Sequence, residues 1–129
     1  MILLLALAAA TQSPAQSPNC ADPLTQADMN QCADMDAKQA DRELNAQWAK
    51  TSAAMKERDR LNLGKDGRPG YFATLLSAQR SWLAYRDAHC RSAGYWARGG
   101  SMEPMLVSLC IAELTRTRTR QLSDLIDQP

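Results

Sequence analysis

Apolar residues recur at three- and four-residue steps through residues 72–93, as on one face of an α-helix. The apolar positions of this stripe are Phe72, Leu75, Leu76, Trp82, Leu83, Cys90 and Ala93. Gln79 and Arg86 fall within the same stripe. Because a buried guanidinium without a partner is strongly unfavourable, the pattern predicts a buried helix whose arginine meets carboxylate or amide groups from other segments.

A second helical stripe lies nearer the amino terminus. It consists of Met29, Ala33, Ala37, Ala40, Leu44, Trp48 and Met55, with Asp41 and Asn45 beside it. At its start, the Thr25 hydroxyl can accept a hydrogen bond from the Asp28 amide, which is a capping pattern. No proline or glycine follows before Gly64, so the helix can extend to about Leu61. Over that length we expect fraying or a break within residues 53–60.

A third helix is predicted near the carboxyl terminus. Residues 62–70 hold three glycines and one proline and are predicted to form a loop. The helix after this loop is expected to cover residues 71–97, and the Arg-Gly-Gly-Ser sequence that follows turns the chain. Ser101 is expected to cap the third helix, with Glu103 in its first turn. The apolar stripe of this helix contains Val107, Ile111, Leu114, Arg118, Leu122 and Leu125.

These patterns predict an all-α protein with three main helices. Helices two and three form an antiparallel hairpin that packs on the long first helix. We expect one helical domain over residues 25–126, preceded by a linker at residues 11–24. The 129-residue chain is long enough for one domain, and its formal net charge of +1 argues against a nucleic-acid partner.

Charged residues on apolar stripes predict a single polar cluster in the interior. We expect Arg86 and Arg118 to meet Asp41 there, with amide and hydroxyl groups completing the hydrogen bonds. The predicted members are Asp41, Asn45, Gln79, Arg86, Thr115 and Arg118. Arg80 and Asp87, one position away, are alternative members. We interpret the cluster as a structural network and not as an active site.

The first ten residues, M-I-L-L-L-A-L-A-A-A, are typical of a secretory signal peptide. The apolar run is too short to span a bilayer and ends in a small-residue cleavage pattern, although no Lys or Arg precedes it. We expect cleavage after Ala10 and a periplasmic or secreted product that has no membrane attachment.

Four cysteines in an exported chain of this size predict two disulfide bonds, for which three pairings exist. Cys90 and Cys110 lie almost symmetrically about the turn between helices two and three, so a hairpin brings them level. Cys20 precedes the first helix and Cys32 lies two turns into it, which allows a local clasp. We therefore expect Cys20 to pair with Cys32 and Cys90 with Cys110.

Candidate catalytic groups are few. His89 is the only histidine and precedes Cys90, but neighbouring helical positions do not face each other, which disfavours a Cys–His dyad. Asp41, Asp87 and Glu113 could form a carboxylate pair only in a cleft, and no segment predicts one. We predict no catalysis, no cofactor and no metal site, since the methionines lack the dense spacing of a soft-metal site and are typical core residues.

Two surfaces are candidates for binding a protein partner. The first is the acidic face of the first helix, represented by Asp34, Asp36 and Glu43, which could steer a cationic partner. Its alternative interpretation is an ordinary solvated face. The second is the turn that contains Tyr95, Trp96 and Arg98. Aromatic and arginine residues are typical interface anchors, and the alternative is a hairpin turn whose Trp96 covers the core.

The arrangement of motifs resembles the LprI-type lysozyme inhibitors, which are small exported bacterial domains. The motifs are T-x-x-D-M-x-x-C (residues 25–32), D-x-x-L-N-x-x-W (41–48), A-Q-R-x-W-x-x-Y-R-D-x-x-C (78–90), G-G-S (99–101) and L-T-x-x-R-x-x-x-L (114–122). Trp48 stands where a tyrosine is expected. The resemblance implies a secreted or periplasmic, α-helical, disulfide-bonded domain, in a family named for a member that inhibits lysozyme.

Three functions are considered. The first is a protein-binding module that occludes lysozyme or another cationic envelope protein. The second is a structural or stress-related domain of the cell envelope that has no enzyme target. The third is small-ligand or metal binding. The sequence does not define the oligomeric state.

Overall fold

The protein is described here from a computed structural model that covers residues 16–61 and 64–127. Within these residues it forms α1 (Gln26–Arg60), α2 (Tyr71–Gly94), a short 3-10 helix (Tyr95–Ala97) and α3 (Glu103–Asp127). The predicted all-α fold of three main helices is confirmed. The predicted signal peptide, residues 1–10, lies outside the described residues.

Helix α1 runs without a break for 35 residues, so the expected break within residues 53–60 was wrong. The carboxyl-terminal half of α1 is held by α3 and by the start of α2. Met55 is buried, and the buried Thr51 hydroxyl donates a hydrogen bond to the Leu122 carbonyl oxygen at 2.9 Å. At the other end, the Thr25 hydroxyl accepts from the Asp28 amide at 3.0 Å, as the capping pattern predicts.

Helix α1 packs most extensively against α3. Near the turn between α2 and α3, the contact is made by small side chains, which let helices approach closely: Ala37, Ala40 and Ala112 are buried beside Ile111. Toward the other end the core widens around larger side chains. Its buried members are Leu44, Met55, Leu75 and Leu122, and Trp48, Phe72, Trp82 and Ile126 pack around them.

The buried face of α2 is narrower than the predicted stripe. Leu83 and Ala93, and Leu125 on α3, are exposed, although all three were expected in the core. For Leu83 and Ala93 the reason is that α1 and α3 pair chiefly with each other, so α2 is covered on one side only. Its buried residues are Leu75, Arg86, Cys90 and Gly94.

Helix α2 ends at Gly94, three residues earlier than expected, and continues as the 3-10 helix. Gly94 lies against α3: a Cβ atom at this position would overlap the Val107 Cγ2 atom. Glycine therefore allows the two helices to approach each other where the chain turns. Helix α3 begins at Glu103, so Met102 precedes it, and not Ser101, the residue expected to cap it.

Both predicted disulfide bonds are confirmed. Cys20 pairs with Cys32 and Cys90 with Cys110, with Cα–Cα distances of 5.5 and 5.4 Å. Disulfide bonds persist in oxidising compartments, so both indicate an extracytoplasmic protein. In the described part of the chain, no helix has the length and apolar character needed to cross a bilayer.

Candidate functional site

Arg86 lies at the centre of the bundle and joins all three long helices. Its Nη1 atom donates to the Asp41 carboxylate of α1 at 2.8 Å and to the Thr115 hydroxyl of α3 at 3.1 Å. Its Nε atom donates to Asp87 at 3.0 Å, and its guanidinium lies 5.2 Å from the centre of the Trp82 ring. The Arg86 side chain is 10% exposed, whereas the side chain of Asp41 is 44% exposed.

Arg118 does not join this network, so the expected single cluster is divided in two. Its Nε atom donates to Gln79 at 2.9 Å and its Nη1 atom to Gln121 at 3.3 Å. Its Nη2 atom is buried and has no hydrogen-bond partner among the described residues. Burial lowers the pKa of Arg118, because the guanidinium has lost part of its hydration.

Asn45 was expected in the cluster and lies instead on the exposed side of α1. Successive residues of a helix are about 100° apart, so Asn45 points about 100° away from the buried Leu44, whereas Asp41 is only about 60° away on the same side. Asp41 therefore reaches the edge of the interface with α2, and Asn45 faces outward.

The acidic residues of α1 are largely paired within the protein. Asp36 accepts two hydrogen bonds from Arg116 of α3, at 2.6 and 2.9 Å. These hydrogen bonds hold the pKa of Asp36 below its ordinary value of 3.8, against the opposing effect of desolvation. Asp34 forms an ion pair with Lys38 at 2.6 Å, and exposed Glu43 accepts a hydrogen bond from Gln39 at 3.1 Å. The negative field of this face is therefore weaker than the sequence suggests.

The turn between α2 and α3 displays aromatic residues to solvent. Trp96 is 84% exposed, so the alternative in which it covers the core is wrong. Tyr95 is also exposed, and the Arg98 guanidinium lies 4.5 Å from the centre of its ring. We call Tyr95, Trp96 and Arg98 the turn surface.

Backbone hydrogen bonds hold the turn surface in one conformation. The Arg98 amide donates to the Tyr95 carbonyl oxygen at 3.1 Å, and the Gly100 amide donates to the Ala97 carbonyl oxygen at 2.9 Å. Gly99 has φ of +78°, a left-handed conformation that glycine adopts without strain, and its amide donates to Glu103 at 2.7 Å. A turn fixed in this way presents its side chains with little loss of entropy on binding.

The first turn of α1 lies beside the turn surface, whereas Asp34, Asp36 and Glu43 follow further along the helix. The Asn30 side chain donates to the Ser101 carbonyl oxygen at 2.9 Å, and Gln26 lies 3.7 Å from the Met105 sulfur. Two more exposed apolar residues lie in these segments: Met102, inside the predicted turn region of residues 95–104, and Leu24, which was not predicted. One signal in the sequence pointed to Leu24. It is a large apolar residue in a polar segment, and the Cys20–Cys32 disulfide bond joins that segment to α1.

Among the described residues, no group of three or more His, Cys, Asp and Glu side chains is arranged to hold a metal ion. His89 is exposed on α2 and stacks on Tyr85 with ring centres 5.2 Å apart. The turn end itself carries fixed aromatic and arginine side chains next to the first turn of α1.

A small helical domain with two disulfide bonds is of the class of disulfide-bonded extracytoplasmic proteins. The chain belongs to the family described as Lysozyme inhibitor LprI, whose model matches residues 18–122. It is also 46% identical over 127 residues to an uncharacterized protein of Rhizobium meliloti (strain 1021), covering 97% of this chain and 91% of that protein. No solved structure matches the chain.

Proposed function

We propose that the protein is a periplasmic or secreted inhibitor that binds a lysozyme-like enzyme and blocks it by occlusion. Membership of the LprI family and the two disulfide bonds support this function. In this proposal residues 1–10 are a signal peptide that is removed on export. The inhibitor performs no chemistry on its partner.

The exposure of Trp96 carries the proposed binding mode. A tryptophan that is 84% exposed on a fixed turn provides a large apolar area that a partner can bury. Arg98 and Tyr95 beside it are of the residue types enriched at the centres of protein interfaces. We place the turn surface at the centre of the contact, with Leu24 and Met102 at its edge.

The acidic start of α1 has a secondary role in this proposal. Asp34 is paired with Lys38 and Asp36 with Arg116, so Glu43, which accepts a hydrogen bond from the uncharged Gln39, is the one of the three without a cationic partner among the described residues. Lysozymes are cationic, so these carboxylates accelerate encounter more than they tighten the complex. Inhibition should therefore weaken moderately as salt is added.

The test measures lysozyme activity against the mature protein, residues 11–129, for several lysozyme types. We expect saturable inhibition that Trp96→Ala weakens at least about tenfold, since truncation of a central interface aromatic has effects of this size. Tyr85→Ala is the matched control, because Tyr85 is also an exposed aromatic residue but lies on the middle of α2. Tyr85→Ala should leave inhibition unchanged.

Two outcomes contradict the proposal at different levels. Inhibition that Trp96→Ala leaves intact would remove the turn surface from the contact and retain the inhibitor function. Absence of both inhibition and binding for every lysozyme type would argue for the alternative, a structural or stress-related envelope domain. Reduced protein serves as the control for the folded state.

A further inference from the structure

A large cleft lies at the end of the bundle opposite the turn surface. Its volume is about 1140 Å³, and the loop at residues 64–70 forms one wall. The carboxyl-terminal parts of α1 and α3 and the first turns of α2 form the other walls. The aliphatic residues that line it from the helices are Met55, Leu75, Ala78 and Leu125.

The charged side chains of the cleft have an excess of cations. Arg58, Lys65, Arg68 and Arg118 line it, together with two acids, Asp59 and Asp66. Both acids are already used within the protein. Asp59 accepts hydrogen bonds from the Tyr71 and Phe72 amides at 2.7 and 3.0 Å, and Asp66 pairs with Arg68.

Arg58 and Arg118 are hydrogen-bonded to uncharged groups. Arg58 donates to the Leu125 carbonyl oxygen at 3.4 Å and lies 3.6 Å from the Met55 sulfur. Arg118 donates only to glutamine side chains, and its buried Nη2 atom has no partner among the described residues. A buried donor without an acceptor is unfavourable, so an anion that draws the Arg118 side chain toward the cleft and accepts from this nitrogen would remove that cost.

We propose that this cleft binds a small amphipathic organic anion, of the class of medium- and long-chain carboxylates. The carboxylate is held by Arg118, with Arg58 nearby, and the hydrocarbon part lies against Met55, Leu75 and Leu125. Guanidinium groups bind carboxylates through charge-assisted hydrogen bonds, and the apolar walls favour burial of a hydrocarbon chain. The volume of the cleft is large enough for a small-molecule site, for which about 300–1,000 Å³ is usual.

This site is independent of the proposed lysozyme contact. The loop wall precedes α2 and the turn surface follows it, so the 24 residues of α2 separate the two, about 36 Å at 1.5 Å per residue. Failure of one proposal therefore leaves the other standing.

The test is isothermal titration of the mature protein with dodecanoate below its micelle concentration. Dodecyltrimethylammonium carries the same chain with the opposite charge, and acetate carries the carboxylate without the chain. We expect saturable binding of dodecanoate, and binding at least about tenfold weaker for each of the other two. Equal binding of dodecyltrimethylammonium would overturn the proposal, since it would reduce the site to an apolar surface.

Two variants assign the anion to Arg118. Arg118→Gln should weaken dodecanoate binding about tenfold or more, whereas Arg120→Gln, on the exposed side of the same helix and outside the cleft, should leave it unchanged. If Arg118→Gln does not fold, amide chemical shifts of the unmodified protein locate the dodecanoate site. Dodecanoate should then shift residues 64–70 and Leu125, and shifts confined to the turn surface would refute the site.

Discussion

Arg86 and Arg118 both lie on apolar stripes of the bundle, yet their guanidinium groups have different hydrogen-bond partners. Arg86 meets two carboxylates and a hydroxyl, on its own helix and on both neighbours. Arg118 meets two amides, and one of its nitrogen atoms is left without a partner in the described chain. The first charge is balanced inside the fold and the second is not. The comparison indicates that Arg86 stabilises the bundle, whereas Arg118 is the residue to which we assign the proposed ligand.

Replacement of Arg86 should have the largest effect on stability. Arg86→Met keeps most of the side-chain volume but leaves the buried Thr115 hydroxyl and two carboxylates without their donor. Because both carboxylates are about half exposed, water recovers part of their solvation. We expect a loss of about 2–3 kcal/mol in the free energy of unfolding, below the full range for a buried pair.

Urea denaturation at neutral pH measures this loss. Arg80→Met is the matched control, because Arg80 lies on the same helix and is exposed. It should change the free energy of unfolding by less than about 0.5 kcal/mol. An equal loss for both variants would show that the network contributes no more than a surface arginine does.

The Arg86 network could be largely predicted from the sequence, and the Arg118 site could not. Periodicity places both arginines on buried stripes, but their partners depend on how far one helix is shifted along another. Helices α1 and α3 run in the same direction, as the contacts of Thr51 with Leu122 and Arg116 with Asp36 show. Arg118 lies three residues beyond Thr115, about 4.5 Å further along the axis, and there it meets Gln79 and Gln121 instead of Asp41. Helical periodicity gives no information about how far one helix is shifted along another.

The continuous α1 and the cleft escaped prediction for a related reason. A helix that packs along its whole length needs no break, and that packing depends on distant residues such as Leu122. The cleft is formed by a glycine-rich loop standing away from three helix ends, and loop placement is not encoded in periodicity. Both disulfide bonds were predictable, because their cysteines lie near a turn and near a helix start.

Asp41→Asn should have the second largest effect. The amide keeps an acceptor for Arg86 but removes one of the two negative charges that balance it, while Asp87 remains. We expect a loss of about 1–2 kcal/mol, measured by urea denaturation. The loss should fall in the double variant with Arg86→Met, because the two residues act through one contact. Strict additivity of the two losses would contradict the network.

Arg118→Met should cost less than about 1 kcal/mol in the free energy of unfolding, since it removes a partly buried charge that no carboxylate of the described residues balances. The same variant should lose dodecanoate binding. Stability and ligand binding would then depend on different arginines, as expected when a binding site is maintained at the expense of stability. A loss as large as that of Arg86→Met would assign Arg118 a structural role instead.

Arg116 extends the comparison to an arginine that is paired but exposed. Its side chain is 37% exposed and that of Asp36 is 46% exposed, so the pair is well solvated despite its two hydrogen bonds. Asp36→Asn should cost less than about 1 kcal/mol at neutral pH.

Because the pKa of Asp36 is lowered in the folded protein, its contribution to the free energy of unfolding is complete above the ordinary value of 3.8 and is lost as the pH falls below it. Urea denaturation measures the free energy of unfolding of Asp36→Asn and of the unmodified protein. The difference between the two should therefore shrink from pH 7 toward about pH 2.5. Asp124→Asn, at an exposed position of α3, controls for the loss of one charge. A difference that grows on acidification would reverse the sign and exclude the Asp36–Arg116 pair as its cause.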